Sequence, residues 1–375
     1  MTRTVSFALS ADQRELAHRA GNAARDELAP IAAGGKPGRV NRELVKALAD
    51  TGLLGRLFPE GGQISSMDLC LLREAIARES TEAETALAMQ GLGGYPILQS
   101  GSGELIHRWV GPLARGEAVG AFALTEPEHG TDAGAIELAA ERDGDAWRLS
   151  GVKTWISNAP DADLYILFVR TTPDAGAKGV TAFVLPGDAQ GLSGEPISLL
   201  GAHPIGRLEL DGVKLPDANV LGEVDRGFRV AMSTLDLFRP SVGAFAVGMA
   251  QSALDLAVAR AGERRSMGKL LREHQGVSHT LAEMATRTEA ARLLVYAAAA
   301  AHDRGERVTK LSAMAKLFAT ETSQWVVDMA VQVHGAAALE RGHPLEHLYR
   351  EVRAPRIYEG TSEIQREVIA RELYR

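Results

Sequence analysis

The sequence predicts a multidomain α+β chain: an N-terminal helical domain (residues 1–117), a middle antiparallel β-barrel or sandwich (118–225) and a C-terminal four-helix bundle (226–375). Three changes of period carry this division. Apolar residues recur at helical spacing up to about residue 115, short β-branched and aromatic runs replace them from 118 to 222, and long alanine-rich stretches of helical period follow from 226. No strand–helix–strand alternation occurs, which argues against a doubly wound dinucleotide fold.

The N-terminal helices are read from Leu16, Ala20, Ala23 and Ala24, then from Leu44, Leu48 and Leu53, then from the apolar stretch 69–76. Gly91, Gly93, Gly94 and Pro96 are expected to interrupt the next helix. In the middle segment, 147–156, 164–169 and 180–185 are rich in strand-forming residues. Asp143-Gly144 and Asp211-Gly212 each separate strand-like runs and read as hairpin turns. The last segment gives four helices, over 245–261, 277–302, 311–334 and 362–373. They are apolar on most faces, so they must cover one another or be covered by another subunit.

Composition narrows the function. The chain has 375 residues, 45% hydrophobic and 24% charged, the balance of an ordinary globular protein. A formal net charge of −7 argues against nucleic acid as the main partner, because phosphate binding needs a basic surface. No uninterrupted apolar run reaches the length of about 18 residues that would span a bilayer. The start, Met1-Thr-Arg-Thr-Val-Ser-Phe-Ala, lacks the apolar core of a signal peptide. One cysteine, Cys70, excludes an internal disulfide and fits a reducing cytoplasm. No metal is expected.

Two segments gather chemistry. Near the C-terminus, Ile357-Tyr358-Glu359-Gly360-Thr361-Ser362 places a lone carboxylate on a loop before a helix. Ser362 and Gln365 match the S-x-x-Q capping box. Glu359 reads either as a general base or as an ordinary acidic loop residue. The second segment runs from Ala121 to Asp132, a strand that ends in a loop carrying Pro127 and Gly130. Its N–H groups and the hydroxyls of Thr125 and Thr131 suit a planar heterocycle lying against Phe122 and Leu124. Trp155-Ile156-Ser157 adds a flat face and another hydroxyl, although a lone tryptophan is more often part of a core.

Taken together, seven words in order resemble the acyl-CoA dehydrogenase flavoprotein family, over nearly the whole chain. They are Ala123-Leu-Thr-Glu-Pro127; Gly130-Thr-Asp132; Trp155-Ile-Ser-Asn158; Asn219-Val-Leu-Gly222 with Gly227-Phe228; Gly268-Lys269 with His274-Gln275; Ala330-Val-Gln-Val-His-Gly335; and Ile357-Tyr-Glu-Gly-Thr-Ser-Glu-Ile364. Arg239-Pro240 and the stretch Gly268–Gln275 resemble its medium- and short-chain branch.

The resemblance implies FAD-dependent oxidation of an acyl thioester, on coenzyme A or an acyl-carrier protein, to the trans-2-enoyl thioester. Glu359 would remove the α-proton, and the flavin would take the β-hydrogen as hydride. In some branches the base is a glutamate just before the bundle arginine; here that position is Phe238. The resemblance assigns Phe122, Leu124, Thr125, Gly130, Thr131, Trp155, Ile156 and Ser157 to the isoalloxazine. It assigns Arg264, Ser266, His274 and Gln275 to the FAD of a neighbouring subunit, with Gln332, Gly335 and Ala336 on the same cofactor and Thr361 and Glu363 on its adenosine half. Arg264 reads equally as a member of the solvated run Glu263-Arg-Arg265.

Thr131, Asp236, Arg239 and Gly360 would meet the substrate, with Asp236 as readily an intrahelical partner of Arg239. An electron-transferring flavoprotein would accept the electrons, and a homotetramer in the cytoplasm is implied. Two other readings stay open: an oxidase that hands electrons to O2, and a redox-inactive thioester-binding scaffold. The scaffold is motivated by Ala336 and Ala338, where the family has glycines. Other departures are Met267 for an aromatic residue, Glu128-His129 for a small pair, an arginine missing from the loop Gly201-Ala-His-Pro-Ile205, and a shortened loop Pro59-Glu60-Gly-Gly62.

Overall fold

Eleven α-helices and ten strands are found in the computed structural model, which describes residues 9–59 and 61–375. The N-terminal residues tested for a leader, and Glu60 of the shortened loop, lie outside the described residues. The helices are α1 (Ala11–Ala23), α2 (Ala29–Ala33), α3 (Arg42–Asp50), α4 (Ser66–Glu79), α5 (Thr81–Ser100), α6 (Gly103–Ala114), α7 (Gly227–Glu263), α8 (Gln275–Asp303), α9 (Thr309–His334), α10 (Pro344–Glu351) and α11 (Ser362–Leu373). Strands β1 (Gly120–Ala123), β2 (Ala139–Asp143), β3 (Ala146–Ser157), β4 (Leu164–Arg170), β5 (Val180–Pro186), β6 (Leu192–Pro196), β7 (Ile205–Pro216) and β8 (Val220–Leu221) form one sheet, and β9 (Arg265–Ser266) and β10 (Lys269–Leu270) a small ribbon. The order helices, sheet, helices is the predicted α–β–α arrangement.

The chain condenses into two compact units that do not follow chain order. One contains Asp26–Ile64 and Thr85–Leu235; the other contains the segment ending at Arg25, Ser65–Glu84 and Asp236–Arg375. In the first, the strand order is β6-β7-β3-β2-β4-β5-β8, and β1 pairs with β4 in parallel. The inward faces of these strands bury Trp147, Leu149, Tyr165, Leu167, Phe183 and Leu215 in one core.

Three local expectations are corrected here. Asp143-Gly144 does turn a hairpin between β2 and β3. Asp211-Gly212 does not: β7 runs straight through it. Leu210 pairs with Gly151 and Val213 with Leu149, so two residues of β7 face Ser150 alone. The left-handed Gly212 (φ 62°) that a turn would need instead makes a β-bulge. The glycines at 91–94 do not break α5, which is continuous from Thr81 to Ser100. Gly93 is there for close packing, since a Cβ on it would come within 2.6 Å of the Gly120 backbone. Pro240 likewise lies inside α7, which begins eighteen residues before the predicted start at 245.

In the helical unit, α8 packs on α9 and α4, and α9 receives α10 and α11. Alanines make these contacts close: Ala244 of α7, Ala291, Ala298 and Ala299 of α8, and Ala315 and Ala319 of α9 share a core with Met67, Cys70 and Leu71 of α4. The bundle thus includes α4, and α1 packed on it, beyond the four helices expected. By length and mean hydropathy (1.5) α7 would pass for a membrane span, but 67% of that window is buried, as in a core helix.

Candidate active site

Glu359 sits on the loop between α10 and α11 in an uncommon conformation. Its φ is 52° and that of Gly360 is 89°, two consecutive left-handed residues. A non-glycine residue held there is strained unless its surroundings over-determine it. The constraints come from two buried side chains. Lys316 of α9 donates from Nζ to the Gly360 carbonyl at 2.7 Å, and Gln365 of α11 donates from Nε2 to the carbonyls of Gly360 (3.0 Å) and Glu359 (3.2 Å). Gly360 is required by its φ, and a Cβ there would in addition lie 2.6 Å from Gln365 Nε2 and displace that donor from the loop carbonyls.

The predicted capping box is therefore corrected. The N-cap of α11 is Thr361, whose side chain accepts from the Ile364 N–H, and Ser362 instead donates to Glu321 Oε1 at 2.6 Å. Gln365 is occupied with the loop carbonyls. Thr361 therefore has a capping role, and Glu363 stands exposed in the first turn.

Glu359 keeps part of its surface open, while its Oε2 is shielded from solvent and has no hydrogen-bond partner. Burial raises the carboxyl above its usual range, and Arg73, Lys316 and Arg239 oppose the rise. None of the three comes close enough for an ion pair with it among the described residues. Arg73, buried in α4, pairs with Glu84 and donates to Ser241 Oγ at 2.7 Å. Arg239 pairs with Asp236 at 2.8 Å, so the intrahelical partnership is formed. Phe238 is fully buried and places no second carboxylate here. One oxygen of the carboxylate is thus shielded from water and without a hydrogen-bond partner, and three cations act on it only through space, which suits a usable base.

The sheet unit gathers the other expected residues. A main-chain bond from Thr154 N–H to Thr125 O (3.0 Å) lays the loop after β1 beside β3. Beneath them Lys153, fully buried, donates to Glu126 Oε1 (2.7 Å) and to the Leu124 carbonyl (2.9 Å). The Glu126 carboxylate also accepts from the N–H groups of Glu137 (2.6 Å) and Leu138 (3.0 Å). Burial lowers the Lys153 ammonium to about 8 against the pull of Glu126. The β3–β7 register slips between Lys153 and Ile156, and at this irregularity Trp155 has φ 57°. Its indole is turned out of the sheet and 52% exposed.

Phe122 lies half-buried against Phe168, Leu124 is buried, and Gly130 and Thr131 lie exposed on the loop. The hydroxyls of Thr125 and Thr131 have no hydrogen-bond partner among the described residues. Ile156 points into the core, so it offers only its main chain, and Ser157 Oγ lies 2.7 Å from His203 Nε2. An exposed aromatic face beside unclaimed hydroxyls fits a planar, hydrogen-bonding ring system such as the isoalloxazine of FAD.

The remaining residues are on the helical unit. Arg264 precedes the β9–β10 ribbon and Ser266 lies in β9, and the ribbon's turn residues Met267 and Gly268 have φ 48° and 83°. His274 Nε2 lies 3.1 Å from the Ser266 carbonyl, and Gln275 opens α8. All but the half-buried His274 are exposed, and Met267 is 92% exposed. Gln332, Gly335 and Ala336 lie at the exposed end of α9. Of the two substituting alanines only Ala336 is on the surface, because Ala338 is fully buried against α10 and α7.

Lys316, Arg73 and the Lys153–Glu126 pair were not anticipated. Two of them carried a signal: Lys316 falls on the same stripe as Ala313, Ala319 and Thr320, and Lys153 on the inward alternation of Trp147 and Leu149.

A carboxylate with a shielded oxygen in the helical unit and an aromatic, hydrogen-bonding surface in the sheet unit are features that a flavin-dependent oxidoreductase would use. Comparison with known families specifies which. The acyl-CoA dehydrogenase N-terminal, middle and C-terminal domains match residues 10–117, 121–213 and 225–374. Cyclohexane-1-carbonyl-CoA dehydrogenase of Geobacter metallireducens is 37% identical over 375 residues, covering 98% of each chain. Butyryl-CoA dehydrogenase from Megasphaera elsdenii superposes with a TM-score of 0.93 at 33% identity, over 99% of this chain and 100% of that one. A chain from the structure of the electron transferring flavoprotein of Acidaminococcus fermentans reaches 0.94 at 33% identity, with the same coverage. The chain belongs to the acyl-CoA dehydrogenase family. It is an FAD-dependent oxidoreductase of acyl-CoA dehydrogenation.

Proposed function

We propose that the protein converts a saturated acyl thioester to its trans-2-enoyl thioester, with Glu359 as the base that removes the α-proton. The observation that carries this reading is the desolvated Glu359 carboxylate, which has no hydrogen-bond partner on Oε2. Bound FAD supplies the hydride acceptor. Phe122, Thr125, Thr131 and Trp155 hold and orient its ring system, and the left-handed loop presents the carboxylate and its own N–H to the thioester. An α-proton of a thioester is weakly acidic, so a carboxylate raised by burial is better matched to removing it than a solvated one.

Asp236 and Arg239 serve the thioester arm. Arg264, Ser266, His274 and Gln275, on an exposed edge of the helical unit, serve the cofactor of a second copy, and a homotetramer provides that arrangement. An electron-transferring flavoprotein collects the electrons. This is supported by the likeness to a chain from a structure of that name.

The test is anaerobic loss of the flavin's visible absorbance on mixing with acyl-CoA and acyl-carrier-protein thioesters. Wild type is expected to lose colour with at least one of them. Glu359→Gln keeps FAD and binds the thioester but loses colour at least about a thousandfold more slowly, as expected on removing the proton acceptor. Near wild-type bleaching by the variant would remove Glu359 from the mechanism.

A further inference from the structure

We infer that Lys316 is a positioning residue for Glu359: it holds the strained loop by its main chain while leaving the carboxylate itself unpaired. This rests on the reading of Glu359 as the base and adds the group that makes the base usable.

Lys316 is fully buried in the middle of α9, among Ser312, Ala313, Ala315, Ala319 and Thr320. An ammonium in such a place is expensive unless compensated. Yet among the described residues it forms no ion pair, and its one hydrogen bond is to the Gly360 carbonyl at 2.7 Å. Burial is the main influence on it, pushing the ammonium down to about 8. A lysine kept under those conditions has a purpose other than stability.

The geometry shows what the purpose is. Glu359 and Gly360 are both left-handed, so the carboxylate's direction depends on two peptide units that would relax if released. Lys316 and Gln365 hold the carbonyls of both. Had Lys316 bonded the carboxylate directly, it would have stabilised the anion and lowered its basicity. Gripping the carbonyl one residue further on fixes the same loop and leaves Oε2 without a partner. The positive charge still acts through space, as one of three cations favouring the ionised base.

The groups that face this pair are few. Glu359 is met by Arg73 from α4, Arg239 from α7 and Lys316 from α9, with Tyr358 beside it. Lys316 is met by Glu359, Arg239, Glu321 and Glu363.

Exchange of α-protons with deuterated solvent, followed by mass spectrometry, isolates the proton step. The probes are 3-thiabutyryl-CoA and 3-thiaoctanoyl-CoA, whose β-position is sulfur, so they have α-protons and no β-hydrogen. On FAD-loaded wild type, exchange is expected with a sigmoidal pH profile. Lys316→Met is expected to bind FAD at full stoichiometry and to exchange at least about tenfold more slowly, as misplacement of a reacting group does. Its profile midpoint should lie above that of wild type. Lys316→Gln retains a donor to Gly360 and loses the charge. It should recover most of the rate at high pH with the midpoint still raised, which a merely structural role would not produce.

Wild-type rates and midpoints in both variants would overturn the inference, as would failure of both to fold. If wild type itself does not exchange, or Glu359→Gln exchanges as fast as wild type, the base assignment falls and the inference with it. Normal exchange in wild type, loss in Glu359→Gln and no change in the Lys316 variants would overturn only the role of Lys316.

Discussion

Glu359 combines three conditions that stability alone would not select: left-handed backbone, a desolvated carboxylate, and Oε2 with no hydrogen-bond partner. Its titration has a thermodynamic consequence. A carboxyl whose pKa in the fold lies above its unfolded value binds more protons folded than unfolded between those two values. Stability then falls as pH rises through that window, and the loss is complete above the folded pKa. Burial outweighs Arg73, Lys316 and Arg239, so Glu359 is such a group. Glu359→Gln should therefore melt at or above the wild-type temperature at pH 8, and the gap should close as pH falls below the ordinary carboxylate range. A variant that melts several degrees lower at pH 8 would show that the three cations stabilise the anion more than burial disfavours it. The neighbourhood responsible was only partly legible. Gly360 and Glu359 stood out in the sequence, but the donors that hold them come from residues 316 and 365. Ser362 and Gln365 matched a capping pattern that the chain resolves differently, with Thr361 as the cap.

The element that organises the sheet unit is the end of β3. Lys153 reaches inward to Glu126 and Leu124, and the next two residues break the alternation so that Trp155 emerges on the exposed face. The buried ion pair thus ties the strand to the loop carrying Thr125 and Thr131. Lys153→Met leaves the Glu126 carboxylate buried with only two main-chain donors, and breaking a buried pair from one side costs about 3 kcal/mol or more. Urea unfolding should register that loss, together with weaker FAD retention. Adding Glu126→Gln should restore part of the stability, because the stranded charge is gone. Equal stability of wild type and the single variant would mean that the pair is solvated. Sequence patterning found β3 itself but not this bulge, because a slip of register changes which face each residue meets without changing composition. The same limit explains Asp211-Gly212, where one left-handed glycine serves a turn or a bulge equally well.

Across the whole molecule, the α–β–α order was legible because each segment's period differs from that of its neighbour. The association of α1 and α4 with the C-terminal helices was not, since those contacts join residues hundreds of positions apart. Nor does a single chain reveal what meets the exposed ribbon around Met267, where Arg264 has no ion pair among the described residues. If Arg264 serves the cofactor of a second copy, an active site is built from two chains, and complementation between inactive variants follows. Arg264→Glu should lose FAD by placing negative charge against a pyrophosphate, whereas Glu359→Gln keeps FAD without turnover. In a mixed pair, the chain with an intact Glu359 receives an intact Arg264 from its partner, and the reciprocal site lacks both. Random pairing of equal amounts makes half of the dimers mixed, so about a quarter of all sites should become active. Co-expression with two affinity tags, isolation of the doubly tagged dimers and thioester-dependent bleaching test this, with about half of the sites in the isolated mixed dimers expected to bleach. Activity no greater than the mean of the two parents would place Arg264 and Glu359 in service of the same chain's cofactor, or Arg264 in none.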